Sequence, residues 1–293
     1  MMTRGSRGRL FVRKFLAVFS ALLIVMLVGC SQRLPGQGNL PVTPPPEENP
    51  PQTEQYFLNG QLTAEEPEPE QKPGSGEVQM IRSPIQEGER VVALTFDDGP
   101  GRHTDRILDL LEEHGGAATF FVLGYRVENH RSTVERAVEI GSEIAGHSWN
   151  HQDFSLLTED EIAWQIKSAS EAIAPFIGGS AGIYRPPYGR TSALVRQVSE
   201  QLGYALVNWT VDPRDWEHRD ADHIYNHIMN TVQSGDIILM HDIYSSTLEA
   251  VERVIPRLIE EGYRLVTVSE LIAHLYGEIK PGTVYGRDYD VPI

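Results

Sequence analysis

Two acids stand side by side at Asp97-Asp98, directly before Gly99-Pro100, and two imidazoles lie four residues apart at His147 and His151. That histidine spacing lets both rings meet one cation. Neighbouring residues on a strand point to opposite faces, so Asp97 and Asp98 cannot both serve one task from the same side of a strand. Without a placement in the fold, Asp-Asp-Gly-Pro reads as a turn. Further polar groups collect in Arg185-Pro186-Pro187-Tyr188-Gly189-Arg190, in Asp212-Pro213-Arg214-Asp215-Trp216 and at His241-Asp242. His223 and His227 share the spacing of His147 and His151 but fall inside an amphipathic stretch. On an outer helix with no strand-end carboxylate beside them, they are a control for the other pair. His103, His114, His130, His218 and His274 have no matching partner and read as surface residues.

The elements that must position these groups alternate. Short apolar runs at Val91–Phe96, Ala118–Leu123, Ser142–Gly146, Gly182–Arg185, Ala205–Val211, Asp236–Met240 and Tyr263–Val268 are the expected strands. Amphipathic stretches separate them, at Asp105–Glu113, Arg131–Ile140, Glu159–Ile177, Ser192–Gln201, Ala221–Val232 and Leu248–Glu261. Gly141, Gly203, Gly235 and Gly262 each follow a helical stretch, where a left-handed cap is wanted. Such alternation predicts a parallel sheet with crossover helices. Seven strands in this pattern predict an α/β fold, a distorted (β/α)7 barrel; a doubly wound open sheet is the alternative. In a barrel the carboxyl ends of all strands open on one face, where barrel enzymes do their chemistry. The polar segments all stand at strand ends, so they converge on one mouth.

In order, the segments TFDDG, HSWNH, RPPYG, DPRDW and LMH resemble the five motifs of the polysaccharide deacetylase family, the carbohydrate esterases (family 4) sharing the NodB homology domain. The likeness covers about residues 88 to 276. It implies one divalent metal on Asp98, His147 and His151, with Asp97 as general base and Arg185 against it. It makes His241 the acid for the departing amine and Asp215 its partner. The backbone N–H of Tyr188 would face the developing oxyanion, and Trp216 and Leu239 would line the acetyl pocket. A structural ion pair is the competing reading of Arg185 and Asp215, and plain core that of Trp216. Zinc is the expected metal, although nitrogen and oxygen ligands also admit cobalt, nickel or iron.

The first thirty residues read as targeting. Arg4, Arg7, Arg9, Arg13 and Lys14 precede an apolar run from Phe15 to Val28, of signal-peptide length and short for a bilayer crossing. The run ends at Leu27-Val28-Gly29-Cys30, which resembles a lipobox, so residues 1–29 are an expected lipoprotein signal peptide and Cys30 the lipidation site. Cys30 is the only cysteine, which excludes an intrachain disulfide and a cysteine zinc cluster. Residues 30–86, rich in Pro, Glu, Gln and Gly, are the expected disordered linker. The deacetylase domain is expected at 87–277, with a tail at 278–293 that lacks clear periodicity.

Formal charge is −16, and removing the signal segment makes it five units more negative. A chain this acidic is no nucleic-acid binder, because phosphate contacts need Lys and Arg. A neutral or cationic substrate agrees better with it. An HExxH metalloprotease needs Glu where Ser148 stands, and a glycosidase needs carboxyls on opposite sides of the bond. The expected activity is removal of N-acetyl groups from a polysaccharide, most simply N-acetylglucosamine in peptidoglycan, outside the cytoplasm at the cell membrane. A chitin-like glycan, an N-acetylmuramic acid target, poly-N-acetylglucosamine, an O-acetyl esterase acting on xylan, and a non-catalytic wall-binding lipoprotein are the alternatives.

Overall fold

The computed structural model describes residues 82–287. Cys30, the expected signal segment, most of the expected linker and residues 288–293 lie outside the described residues. Eight strands form one sheet: β1 (Arg90–Asp97), β2 (Thr119–Val122), β3 (Glu143–Gly146), β4 (Ile183–Tyr184), β5 (Ala205–Val207), β6 (Ile237–His241), β7 (Tyr263–Leu265) and β8 (Val284–Tyr285). All of the pairings are parallel, in the order β6-β1-β2-β3-β4-β5-β8. β7 stands off this path and pairs with the first half of β1, Arg90 to Val92. A single bridge from Val211 to Ile238 brings the segment after β5 back to β6. The sheet is therefore a curled, distorted (β/α)7-type barrel.

Nine α-helices accompany the strands among the described residues: α1 (Thr104–Glu113), α2 (Gly124–Val127), α3 (Arg131–Glu139), α4 (Glu159–Ile177), α5 (Ala193–Gln201), α6 (Asp215–His218), α7 (Ala221–Thr231), α8 (Ser245–Glu260) and α9 (Val268–Tyr276). Three expectations change. The fifth strand stops at Val207, and only Val211 of the remaining run pairs again. Val268 opens α9 instead of ending the seventh strand. The Thr267 side chain caps this helix and Glu270 reaches back in a capping box, so the backbone donors there are satisfied by a helix start. β8 extends the sheet beyond Gly277, where the sequence shows no period, by pairing with β5.

Strand alternation sorts the core into two layers. Val92, Leu94 and Phe96 of β1 face outward and pack with Ile107 and Leu111 of α1 and Val251 and Ile255 of α8. Val91 and Ala93 face inward with Phe121, Ala145, Ile183 and Ile237, and Val268, Leu271 and Ile272 of α9 belong to the same cluster. Helix α9 is thus a plug at the base of the barrel. Arg82, inside the stretch expected as linker, bonds the Leu265 carbonyl and pairs with Glu270 at 3.1 Å, while Ile85 packs on the same base. The inward row of β1 continues from Val91 and Ala93 to Thr95 and Asp97. The barrel interior therefore runs from apolar at its base to polar at its mouth.

Candidate active site

Arg185, two residues beyond inward-facing Ile183, is wholly buried. A buried cation is costly unless its donors are taken up, and here they are. Nη1 donates to Asp97 Oδ1 and to Thr95 Oγ1, each at 2.7 Å. Nε donates to the Val207 carbonyl at 3.0 Å and Nη2 to that of Asn208 at 3.2 Å. The Phe121 ring lies 4.0 Å from the guanidinium carbon. Burial pushes the Asp97 carboxyl above the usual carboxylate range, against the opposing pull of Arg185.

Asp98 leaves the strand in the left-handed region, φ 70°. That turn overrides strand alternation, and both neighbouring acids reach the same histidine: His147 Nε2 lies 3.6 Å from Asp97 Oδ2 and 3.7 Å from Asp98 Oδ1. His151 Nε2 stands 3.4 Å from the same Asp98 oxygen. Ligand atoms of Asp98, His147 and His151 all fall within 4.8 Å of one another. These separations are too long for good hydrogen bonds, and Asp98 Oδ1 is a buried oxygen with no hydrogen-bond partner. His147 Nδ1 is 2.7 Å from the Arg185 carbonyl, which fixes the ring and turns Nε2 toward Asp98. Burial lowers the His147 pKa to about 3, so its imidazole is neutral, the ligating form. An unsatisfied carboxylate oxygen facing two imidazoles fits a divalent cation.

The loop from His147 to His151 is held from below by Gln165 of α4. Its Oε1 accepts from the backbone N–H of Trp149 at 2.8 Å and of Asn150 at 3.3 Å. The His151 N–H donates to Ser148 Oγ at 2.7 Å, and Ser148 and His151 both have positive φ.

Across the cleft, His241 ends β6. Its Nδ1 meets Asp215 Oδ1 at 2.8 Å, and its backbone N–H donates to Asp215 Oδ2 at 2.8 Å. The Thr247 hydroxyl donates to that second oxygen at 2.7 Å, so the buried carboxylate is fully occupied. Burial opposes the imidazolium, but the bonded Asp215 outweighs it and raises His241 to about 9. Nε2 is left as the nitrogen available to the cleft.

Asp97, Asp98, His147, His151, Tyr188, Trp216, Leu239 and His241 line one cleft of about 390 Å³. Trp216 is 43% exposed, so it is a cleft wall and not core. Tyr188 sits at φ 58° with its ring 4.7 Å from that of His151. Arg185 and Asp215 lie immediately behind the lining residues. His223 and His227 lie apart on α7, their ring centroids 6.2 Å from each other. Sequence reading named Asp212 but gave it no role, and missed Trp209 and Tyr244 on the cleft wall and Gln165 and Thr247 behind it. Asp212 stands inside the DPRDW motif, a signal that was available; the others carry none.

A polysaccharide deacetylase family model matches residues 85–207. A peptidoglycan-N-acetylglucosamine deacetylase of Bacillus cereus is 34% identical over 196 residues, 65% of this chain and 92% of that protein. The chain belongs to the polysaccharide deacetylase family. The peptidoglycan-N-acetylmuramic acid deacetylase PdaC of Bacillus subtilis is 38% identical over 204 residues, which are 69% of this chain but 43% of that protein. Its solved structure superposes with a TM-score of 0.61 at 39% identity, covering 64% of this chain and 92% of the solved chain. A family 4 acetyl xylan esterase from Clostridium thermocellum, solved with a cobalt ion, gives a TM-score of 0.62 at 32% identity, over 69% of this chain and 100% of that one.

Proposed function

We propose that this deacetylase hydrolyses N-acetyl groups of amino sugars in peptidoglycan, with one divalent cation held by Asp98, His147 and His151. The observation that carries this reading is the placement of two differently tuned groups, Asp97 and His241, in the cleft that holds the three ligands. A bound cation would polarise the acetyl carbonyl and make water a better nucleophile. Asp97, ionised and oriented by Arg185, takes the proton of the attacking water. A carboxyl raised by burial is a stronger base than an exposed one, which suits this role. His241, held as imidazolium by Asp215, gives its Nε2 proton to the departing nitrogen, so the sugar leaves as an amine and the acyl group as acetate. The Tyr188 N–H donates to the oxyanion, a contribution typically worth about 3 to 4 kcal/mol. Trp216 and Leu239 enclose the methyl group.

Zinc is the proposed metal. The relatives named for peptidoglycan support that polymer over chitin or xylan. Cys30 as a lipid anchor, with the residues before Arg82 as its linker, would hold the domain outside the cytoplasm at the membrane. Incubation of the purified protein with wall fragments and with N-acetylglucosamine oligomers tests the reading. Acetate should appear, stop with a chelator and return with a divalent metal. Acetate from O-acetylated xylan alone would replace the amidase reading with an esterase.

A further inference from the structure

The chain is acidic overall, and acidic groups crowd this cleft. Most are already committed: Asp97 to Arg185, Asp215 to His241, and Asp98 to the proposed cation. Beside the cleft, against its lining residue Tyr244, stands an exposed cation that no carboxylate among the described residues takes up. Arg219 follows α6, the short helix that carries Asp215 and Trp216, and adopts φ 51°. Its Nε donates to the Trp216 carbonyl at 2.9 Å. Its guanidinium lies over the ring of Tyr244, 3.1 Å from the centroid. Tyr244 lines the cleft, with its ring 5.6 Å from that of His241. Among the described residues no carboxylate pairs with Arg219, whereas Arg214, at the other end of the same helix, is paired with Glu217 at 2.7 Å.

We propose that Arg219 selects an amino-sugar substrate that carries a carboxylate, and so is the specificity-determining residue of this cleft. The inference rests on the deacetylase reading and names its substrate more closely. An arginine presents its donors in a planar fork that matches a carboxylate. Here the backbone turn, the Trp216 carbonyl and the Tyr244 ring hold the side chain in advance, so little rotamer freedom remains to be lost on binding. Asp212, half-buried in the same cleft, opposes an anion, so a carboxylate-bearing substrate needs a cation beside the cleft. Of the two sugars in the relatives' names, N-acetylglucosamine has no carboxylate and N-acetylmuramic acid has one on its lactyl ether. The overall acidity of the chain, which favours a neutral or cationic ligand, would be countered locally by Arg219 beside Tyr244.

A carboxylate can reach this arginine from the sugar or from an attached peptide, because a stem peptide converts the lactyl carboxylate to an amide and brings acids of its own. The test therefore compares three substrates: neutral N-acetylglucosamine oligomers, peptide-free wall glycan and peptide-bearing muropeptides. Acetate release is followed with the wild-type protein, Arg219→Gln and Arg219→Lys. Loss of a charged pair at this exposed arginine should lower the kcat/KM ratio of carboxylate-bearing to neutral substrate about three- to fivefold in Arg219→Gln, through KM. Arg219→Lys should restore part of that ratio. Loss on peptide-free glycan assigns the sugar's own carboxylate, and loss confined to muropeptides assigns the peptide's. A ratio unchanged in a folded, metal-loaded Arg219→Gln overturns the proposal. Should that variant fail to fold, the wild-type ratio must fall as salt rises from about 0.05 to 0.5 M, and a salt-independent ratio overturns it equally. No acetate from any substrate with the wild-type protein would sink the deacetylase reading itself.

Discussion

Arg185 and Asp97 meet at 2.7 Å inside the barrel, with the arginine fully excluded from solvent and the aspartate 2% exposed. This pair joins the apolar base of the barrel to its reactive mouth, because the same guanidinium bonds Thr95 and two backbone carbonyls. Arg185→Met would leave a buried carboxylate without its partner. Urea unfolding should show a loss of about 3 to 5 kcal/mol, the usual result of breaking a buried pair from one side. A loss below about 1 kcal/mol would mean that the pair bears little of the fold.

Asp97→Asn keeps the shape of the side chain and leaves all three proposed ligands untouched. Metal content by atomic emission should match that of the wild type, while kcat falls by about two to four orders of magnitude. An active Asp97→Asn would remove Asp97 from the role of base.

The pH profile follows from two shifted groups. Asp97 must be ionised to accept a proton and lies above the ordinary carboxylate range, so kcat/KM should rise through a limb displaced upward from that range. His241 must be protonated to donate, so activity should decline as pH passes about 9. In Asp215→Asn the foremost of the groups that raise His241 is gone, and the alkaline limb should move to lower pH. An unmoved limb would show that another group supplies the proton.

Gln165 makes its own prediction. Gln165→Leu leaves the N–H groups of Trp149 and Asn150 without their shared acceptor at the base of the His147–His151 loop. Thermal unfolding should reveal a cost of about 1 to 3 kcal/mol, and competition with a chelator should reveal weaker metal retention. Wild-type retention would mean that the loop keeps its shape without Gln165.

The sequence states much of this site because chemistry at barrel mouths is carried by short segments at strand ends. Asp97, Asp98, His147, His151, Arg185, Tyr188, Asp215, Trp216, Leu239 and His241 all stand in such segments. Gln165 and Thr247 were illegible because a polar residue on an amphipathic helix looks the same whether it faces water or a loop's backbone. Tyr244 and Arg219 come together only through the approach of α6 to the start of α8, which no local pattern encodes. Helix α9 was readable in principle: Thr267 and Glu270 have capping-box spacing, but the apolar run from Tyr263 to Val268 invited a longer strand. Two-residue strands such as β8 are shorter than any period that could announce them. The joint use of adjacent Asp97 and Asp98 turns on one left-handed residue, a backbone fact that strand alternation argues against.

The most direct measurement is calorimetric titration of zinc into metal-stripped protein, followed by acetate release from wall glycan. One equivalent should bind and restore activity in the wild type and in His223→Ala, and His147→Ala should show neither. Binding that survives in His147→Ala and disappears in His223→Ala would contradict the assignment of Asp98, His147 and His151 as the metal centre.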